Sequence, residues 1–137
     1  MAMFTSTPTS SPGKILIVDD DDDIRNIYKD YLTANGFKVE LATNGQEGLS
    51  KILQGGYDLI LLDIMMPKID GLGILRRLKE KPLNQNVYNG PIVVLSALRQ
   101  DEVYNEALRL GAKGYIVKSD ITPKDLLDKV VELLKKP

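Results

Sequence analysis

Short apolar runs alternate with segments of helical periodicity along most of this chain. Residues 14–18 (KILIV) and 58–62 (DLILL) are rich in aliphatic residues on both faces, which is typical of central strands in a parallel sheet. After the first run, apolar residues recur at three- and four-residue spacing from Ile24, and Asn35-Gly36 supplies a stop signal. The same alternation then repeats towards the end of the chain.

The complete pattern predicts five strand–helix units. The predicted strands are 14–18, 38–42, 58–62, 91–95 and 114–117, and the predicted helices begin near Ile24 and then cover 46–53, 70–81, 100–110 and 122–136. Strict alternation indicates an α/β fold with a five-stranded parallel sheet, and right-handed crossovers make that sheet doubly wound. Such sheets bind ligands beyond the carboxyl ends of their strands.

Two segments fall outside this pattern. Residues 1–12 (MAMFTSTPTSSP) are rich in Ser, Thr and Pro, so we expect a disordered tail or a cloning remnant, followed by a single domain over 13–137. Residues 81–90 (KPLNQNVYNG) have the composition of a polar loop. That loop could be a tolerated insertion or a contact for a partner.

Composition narrows the chemistry that is available. The 137 residues are 43% apolar, carry a formal net charge of −1, and include neither cysteine nor histidine. Disulfides, thiolate metal sites, the usual zinc ligand and the usual catalytic base are therefore excluded. We find no membrane-length apolar run, no secretory signal and no basic nucleic-acid-binding element, so we expect a cytoplasmic protein without membrane or direct nucleic-acid partners.

Polar residues stand where the predicted strands end. Asp19 and Asp20 follow the first strand, Asp63 follows the third, Ser96 follows the fourth and Lys118 follows the fifth. Because parallel strands direct their carboxyl ends to one edge of the sheet, we expect these five side chains to gather there.

The expected cluster suits phosphoryl chemistry. Three neighbouring carboxylates cannot all stay ionised without compensation, and Mg²⁺ with one lysine would neutralise them. Carboxylate oxygens without His or Cys favour Mg²⁺ as the ion. The carboxylate of Asp63 could attack phosphorus, Lys118 could neutralise the added charge, and Ser96 could donate a hydrogen bond to a phosphoryl oxygen.

The motifs at these positions resemble a known family. The segments ILIVDDDDDIR, YDLILLDIMMPKIDG, IVVLSA and GAKGYIVKS are similar to those of the CheY-like receiver domains of bacterial two-component signalling, which have a flavodoxin-like (βα)5 fold. The resemblance covers about residues 13–136. It implies that Asp19 and Asp20 are a metal-binding pair and that Asp63 is both phosphoacceptor and metal ligand. The backbone carbonyl of Met65 would complete the protein ligands.

The same resemblance implies how such a domain would signal. Ser96 would be the switch hydroxyl, Tyr115 the switch aromatic and Lys118 the lysine that pairs with the phosphoryl group. Their movement would remodel the surface built from the fourth helix, fifth strand and fifth helix, where a downstream protein would bind. A histidine kinase or phosphotransfer protein would be the phosphodonor.

One position departs from the family pattern. The family's lysine is usually followed by a proline, often through a cis bond, but here Ser119 follows Lys118. Either this bond is cis, at a cost of about 3 kcal/mol, or the loop is trans and Lys118 approaches differently. Thr122 is a candidate N-cap for the last helix, with Pro123 at its first position.

Two other functions fit part of the same pattern. Haloacid-dehalogenase phosphatases also combine a strand-end Asp, Mg²⁺, a hydroxyl and a Lys, but their signature wants Thr or Val after the second Asp, and here Asp22 and Asp23 follow. A degenerate receiver that serves only as a binding scaffold is the other alternative. Its only support is the missing proline after Lys118.

Overall fold

The structure is a computed structural model that describes residues 13–66, 68–97 and 99–135. The predicted disordered tail at residues 1–12 lies outside this part of the chain. Within it, no helix is both long enough and apolar enough to cross a membrane.

The strands and helices alternate from beginning to end, as the sequence predicts. The strands are β1 (Lys14–Val18), β2 (Lys38–Ala42), β3 (Leu59–Asp63), β4 (Ile92–Ser96) and β5 (Gly114–Val117). The helices are α1 (Asp22–Ala34), α2 (Gly45–Gln54), α3 (Gly71–Glu80), α4 (Asp101–Arg109) and α5 (Pro123–Lys135), and a short 3-10 helix (Lys118–Asp120) precedes α5.

All five strands form one parallel sheet in the order β2-β1-β3-β4-β5. The chain moves from β1 outward to β2 and then returns past β1 to β3, so the strand order reverses between β1 and β3. This reversal is the switch point at which doubly wound sheets bind their ligands. The predicted α/β fold with a doubly wound five-stranded sheet is therefore confirmed.

The sheet separates two apolar layers. On one face, Ile15 and Ile17 of β1 pack with residues of α1 and α5, such as Leu32 and Val130. On the other face, the alternate residues of β1 pack with residues of α2, α3 and α4, including Ile52, Ile74 and Ala107. Because successive strand residues point to opposite faces and both faces are covered, β1 and β3 are apolar at every position except Lys14 and Asp63, which is the pattern that marks them in the sequence.

Side-chain caps set where several helices begin. Asp70, predicted as the first residue of a helix, is instead the N-cap of α3 and accepts a hydrogen bond from the Gly73 amide at 2.7 Å. Thr122 caps α5 as predicted: its hydroxyl accepts from the Asp125 amide at 3.1 Å, and the Asp125 carboxylate accepts from the Thr122 amide at 3.0 Å. This reciprocal pair and Pro123 start α5 without help from the preceding loop.

The 81–90 loop is tied to the amino-terminal edge of the sheet. Asn89 accepts from the Tyr57 amide at 3.3 Å and donates to the carbonyl of Ile52 at 2.8 Å. The Gly56 amide donates to the carbonyl of Tyr88 at 2.7 Å. The loop therefore lies at the end of β3 opposite to Asp63.

A second polar cluster lies near the same amino-terminal edge. The Glu40 carboxylate of β2 pairs with Lys14 at 2.8 Å and with Lys51 at 3.4 Å, and it accepts from the Tyr57 hydroxyl at 2.8 Å. The bond with Lys14, the Tyr57 hydroxyl and the nearby cations lower the pKa of Glu40 to about 2, against some desolvation. The ionised carboxylate joins β1, β2, α2 and Tyr57, which lies two residues before β3.

This cluster predicts a loss of stability in acid. A carboxyl whose folded pKa is depressed stabilises the fold above its unfolded pKa of 4.5, and that stabilisation is lost as the pH falls towards 2. We expect Glu40→Gln to lower the urea midpoint at pH 7 and the difference from wild type to shrink below pH 4.5. The exposed Glu80→Gln is the matched control. A Glu40→Gln deficit that is unchanged at pH 3 would contradict the proposed ion pairing.

Candidate functional site

Three carboxylates meet at the carboxyl-terminal edge of the sheet. Val18 of β1 pairs with Leu62 of β3, so the next residues on the two strands, Asp19 and Asp63, lie side by side. Both are buried, whereas Asp20 is exposed. One carboxylate oxygen from each of the three lies within 4.8 Å of the other two. This spacing is close enough for a single small cation to contact all three.

Lys118 reaches this cluster from the end of β5. Its Nζ lies 2.7 Å from Oδ2 of Asp19 and 3.3 Å from Oδ2 of Asp63, and its side chain is almost fully covered. Burial alone would lower the pKa of the Lys118 ammonium, but hydrogen bonding and charge attraction from Asp19 and Asp63 outweigh it and raise that pKa. The ammonium is therefore charged at neutral pH and bridges the two buried carboxylates.

One lysine does not fully compensate two buried carboxylates. Burial, together with the charge of Asp19, raises the pKa of Asp63 to about 7, although Lys118 and the amide of Met65 oppose the rise. A second cation at the cluster would favour the ionised form of Asp63. The negative charge of the site is therefore not fully neutralised by Lys118, and a further cation would stabilise it.

Backbone groups around the carboxylates hold them in place. The amide of Asp21 donates to Oδ1 of Asp19 at 2.9 Å, and the amide of Met65 donates to Oδ1 of Asp63 at 3.2 Å. Gly71 lets α3 begin close behind β3, because a Cβ at this residue would lie only 2.4 Å from the carbonyl oxygen of Asp63. The Asp-Gly pair after Asp63 therefore brings the start of α3 against the site.

Ser96 and Tyr115 lie on β4, which pairs with β3, and on β5, the next strand beyond β4. Ser96 is the last residue of β4 and is buried. It pairs with Val117 of β5, the residue before Lys118. Tyr115 of β5 is half-buried, and its ring centroid lies 5.4 Å from that of Tyr104 on α4.

The peptide bond after Lys118 is trans. No peptide bond is cis in the described stretches of the chain, which include Lys118 and Ser119. Residues Lys118–Asp120 form the short 3-10 helix, and Lys118 still reaches both carboxylates. The trans alternative therefore holds, and proline is not needed for this approach.

The donor set at this edge fits Mg²⁺. It consists of carboxylate oxygens within reach of one ion, with the loop carrying Met65 directly after Asp63. Hard oxygen donors without nitrogen or sulfur are the ligands that Mg²⁺ prefers. The raised pKa of Asp63 is the second feature that a divalent cation would relieve.

Two neighbours of the site were not predicted from the sequence. Arg25 on α1 is buried and donates to the backbone carbonyl of Asp19 at 2.8 Å. Tyr104 contacts Tyr115 and is itself covered by the guanidinium of Arg99, whose Cζ lies 5.2 Å from the Tyr104 ring centroid. The only sequence signal for Arg25 is its position two residues after the acidic run at residues 19–23.

Comparison with known proteins identifies the family. The sequence model of the response regulator receiver domain matches residues 15–131, and the chain belongs to this family. It is therefore a receiver domain of the two-component response regulator class. This assignment favours the receiver interpretation over that of a haloacid-dehalogenase phosphatase.

Individual relatives agree with the assignment. The transcriptional regulatory protein ResD of Bacillus subtilis is 36% identical over 123 residues, which cover 90% of this chain and 48% of ResD. The chain thus spans about half the length of this curated relative. The receiver domain of the Francisella response regulator 1452 has a TM-score of 0.77 and 33% identity, covering 90% of this chain and 97% of that one.

A relative solved with bound Mg²⁺ and BeF is also similar. The response regulator protein TrrA of Thermotoga maritima, solved in complex with Mg²⁺ and BeF, has a TM-score of 0.72 and 34% identity, with 88% of this chain and 97% of that one covered.

The raised pKa of Asp63 predicts a pH-dependent stability in the absence of divalent ions. A carboxyl whose folded pKa exceeds its unfolded value of 3.8 costs the fold stability as the pH rises through about 7. We expect Asp63→Asn to be more stable than wild type at pH 8 by about 2 kcal/mol, with the gap closing near pH 4. Urea unfolding in EDTA measures this difference.

Asp30→Asn is the control for this measurement, because Asp30 is an exposed carboxylate on α1. Equal stabilities of wild type and Asp63→Asn at pH 8 would show that Lys118 alone compensates the buried charge.

Proposed function

We propose that this receiver domain accepts a phosphoryl group on Asp63 in a Mg²⁺-dependent reaction and signals to a protein partner by changing its surface. The observation that supports this most strongly is the cluster of Asp19, Asp20, Asp63 and Lys118 at the switch point of the sheet. It combines a nucleophilic carboxylate, ligands for a divalent cation and a fixed ammonium within one small pocket.

The chemistry of the step follows from these groups. A carboxylate oxygen of Asp63 forms a bond to phosphorus, and the bond between phosphorus and the donor's leaving atom breaks with its electron pair on the donor. Asp19, Asp20, Asp63 and the Met65 carbonyl would hold Mg²⁺, which stabilises charge on the phosphoryl oxygens when bound. Lys118 would pair with one of those oxygens, and Ser96 would donate a hydrogen bond to another. The domain would act on itself and not turn over a separate substrate.

The signal would leave through α4, β5 and α5. Ser96 and Tyr115 stand on β4 and β5, and Tyr115 contacts Tyr104 of α4. A phosphoryl group on Asp63 adds negative charge beside Ser96, so a movement of Ser96 towards it would loosen the packing at Tyr115. A downstream protein would recognise the changed surface.

The donor would be a histidine kinase or a phosphotransfer protein, because this chain has no histidine of its own. A cleft of about 420 Å³ opens beside Lys118 between α1, Ala97 and the start of α5. Its apolar lining includes Ile24, Ile27 and Pro123, and Ile27 is 52% exposed. Such a surface next to the pocket suits a protein donor, which needs an apolar contact as well as access to Asp63.

We predict that acetyl phosphate with Mg²⁺ adds one phosphoryl group to the intact protein. The adduct should be absent from Asp63→Asn and from wild type in excess EDTA, because the nucleophile or the divalent cation is then missing. Intact-protein mass spectrometry measures the outcome directly. A phosphoryl group retained on Asp63→Asn would refute the assignment of the acceptor.

The exposed Asp70→Asn would be a poor control, because Asp70 caps α3 beside the site, so Asp30→Asn serves instead. A folded wild-type protein that never gains mass would favour the scaffold interpretation. Sustained hydrolysis of a simple phosphate ester would favour a phosphatase.

A further inference from the structure

The buried guanidinium of Arg25 is bound to the peptide unit that joins the two candidate metal-binding aspartates. Its Nη1 donates to the carbonyl oxygen of Asp19 at 2.8 Å, and this carbonyl belongs to the peptide bond between Asp19 and Asp20. The amide of Asp19 donates in turn to the carbonyl of Ala42 on β2 at 3.1 Å. The backbone of Asp19 is therefore held from both sides.

The orientation of that peptide unit decides where both carboxylates point. A peptide bond is planar, so fixing its carbonyl fixes the positions of the Cα atoms of Asp19 and Asp20 on either side. The carboxylate of Asp20 is exposed, and no hydrogen bond or ion pair orients it in the described structure. The hydrogen bond from Arg25 to the Asp19 carbonyl is therefore one of the few contacts that can orient the Asp20 carboxylate.

Burying the Arg25 guanidinium costs free energy that its packing contacts alone do not explain. Its side chain is only 8% exposed, its Nη2 pairs with the carboxylate of Asp22, and its Nε is buried without a hydrogen-bond acceptor in the described residues. A buried cation with an unsatisfied donor is expensive, and a well-packed apolar side chain would avoid that expense. The hydrogen bond from the Thr43 amide is the main cause that lowers the pKa of Glu47 in the first turn of α2, and the charge of Arg25 adds only a minor contribution.

We infer that Arg25 is a positioning residue for the divalent-cation site, because its guanidinium binds the Asp19 carbonyl and so aims the carboxylates of Asp19 and Asp20 at one ion. This inference rests on the proposed function, since it requires that these two aspartates bind Mg²⁺. Arg25 would not touch the ion. Its fixed planar fork spans the Asp19 carbonyl and the Asp22 carboxylate together, which the single ammonium of a lysine cannot do.

Charge and geometry predict opposite effects when Arg25 is replaced. Removing a cation beside the site would tighten Mg²⁺ binding if charge were its main influence. Removing the bond to the Asp19 carbonyl would weaken binding, because residues that orient metal ligands typically contribute about ten- to a hundred-fold in affinity. A purely structural role would lower stability and leave the affinity of the folded protein unchanged.

The experiment is titration of the full chain with MgCl2 by isothermal calorimetry, without any phosphodonor. We expect Arg25→Met to raise the Mg²⁺ dissociation constant by about ten- to a hundred-fold and Arg25→Lys to raise it by a smaller factor. Asp22→Asn removes the ion pair with the exposed Asp22 carboxylate but keeps the bond to the Asp19 carbonyl, so it should change the constant by less than about fivefold.

Urea unfolding in EDTA establishes the folded fraction of each variant. If Arg25→Met does not fold, the Mg²⁺ dissociation constant of Arg25→Lys is compared with that of wild type instead. Unchanged or tighter Mg²⁺ binding in a folded Arg25 variant would overturn the positioning role. Failure of wild type to bind Mg²⁺ at all would instead defeat the proposed function, so the two failures can be told apart.

Discussion

The burial of two neighbouring carboxylates beside one ammonium is the constraint on which the rest of this structure depends. Asp19 and Asp63 lie at adjacent strand ends because Val18 and Leu62 are in register. Lys118 approaches both carboxylates to within 3.3 Å, and its positive charge partly offsets their mutual repulsion. The three groups stand at the ends of β1, β3 and β5, so the sheet from β1 to β5 must be formed before they can meet.

This constraint explains why the site residues lie at strand ends and the backbone amides that orient them lie in the following loops. The buried strands fix the backbone positions of Asp19 and Asp63 at their carboxyl ends. The amides of Asp21 and Met65 then orient the two carboxylates from the following loops. The rigid sheet and its short, hydrogen-bonded loops hold the carboxylates of Asp19 and Asp63 close together. Their mutual repulsion favours the binding of a cation between them.

Local patterns were sufficient to predict most of the fold. Apolar runs located all five strands, and β1, β2 and β5 have the predicted bounds. β1, β3 and β4 are buried along nearly their whole length, so apolar residues on both faces mark them clearly, whereas β2 and β5 are only partly buried. β3 and β4 each start and end one residue later than predicted, since Asp63 and Ser96 belong to the ladder. Hydrogen bonding, and not hydrophobicity, sets those last residues.

Long-range contacts of polar side chains could not be predicted in the same way. A charged residue on a helix is by default solvated, so nothing in the sequence shows that Arg25 is buried. The pairing of Glu40 with the Tyr57 hydroxyl joins residues 17 positions apart, and it depends on how β2 and β3 sit on either side of β1.

The attachment of the 81–90 loop has a consequence for how this domain can be altered. Asn89 and Tyr88 fasten the loop to Tyr57, Ile52 and Gly56, at the end of β3 that is one strand length away from Asp63. Residues before Val87 are mostly exposed and take no part in these attachments. A reporter group inserted between Lys81 and Asn86 would therefore be held by the ordered end of the loop. It would leave the site around Asp63, at the other end of β3, unchanged.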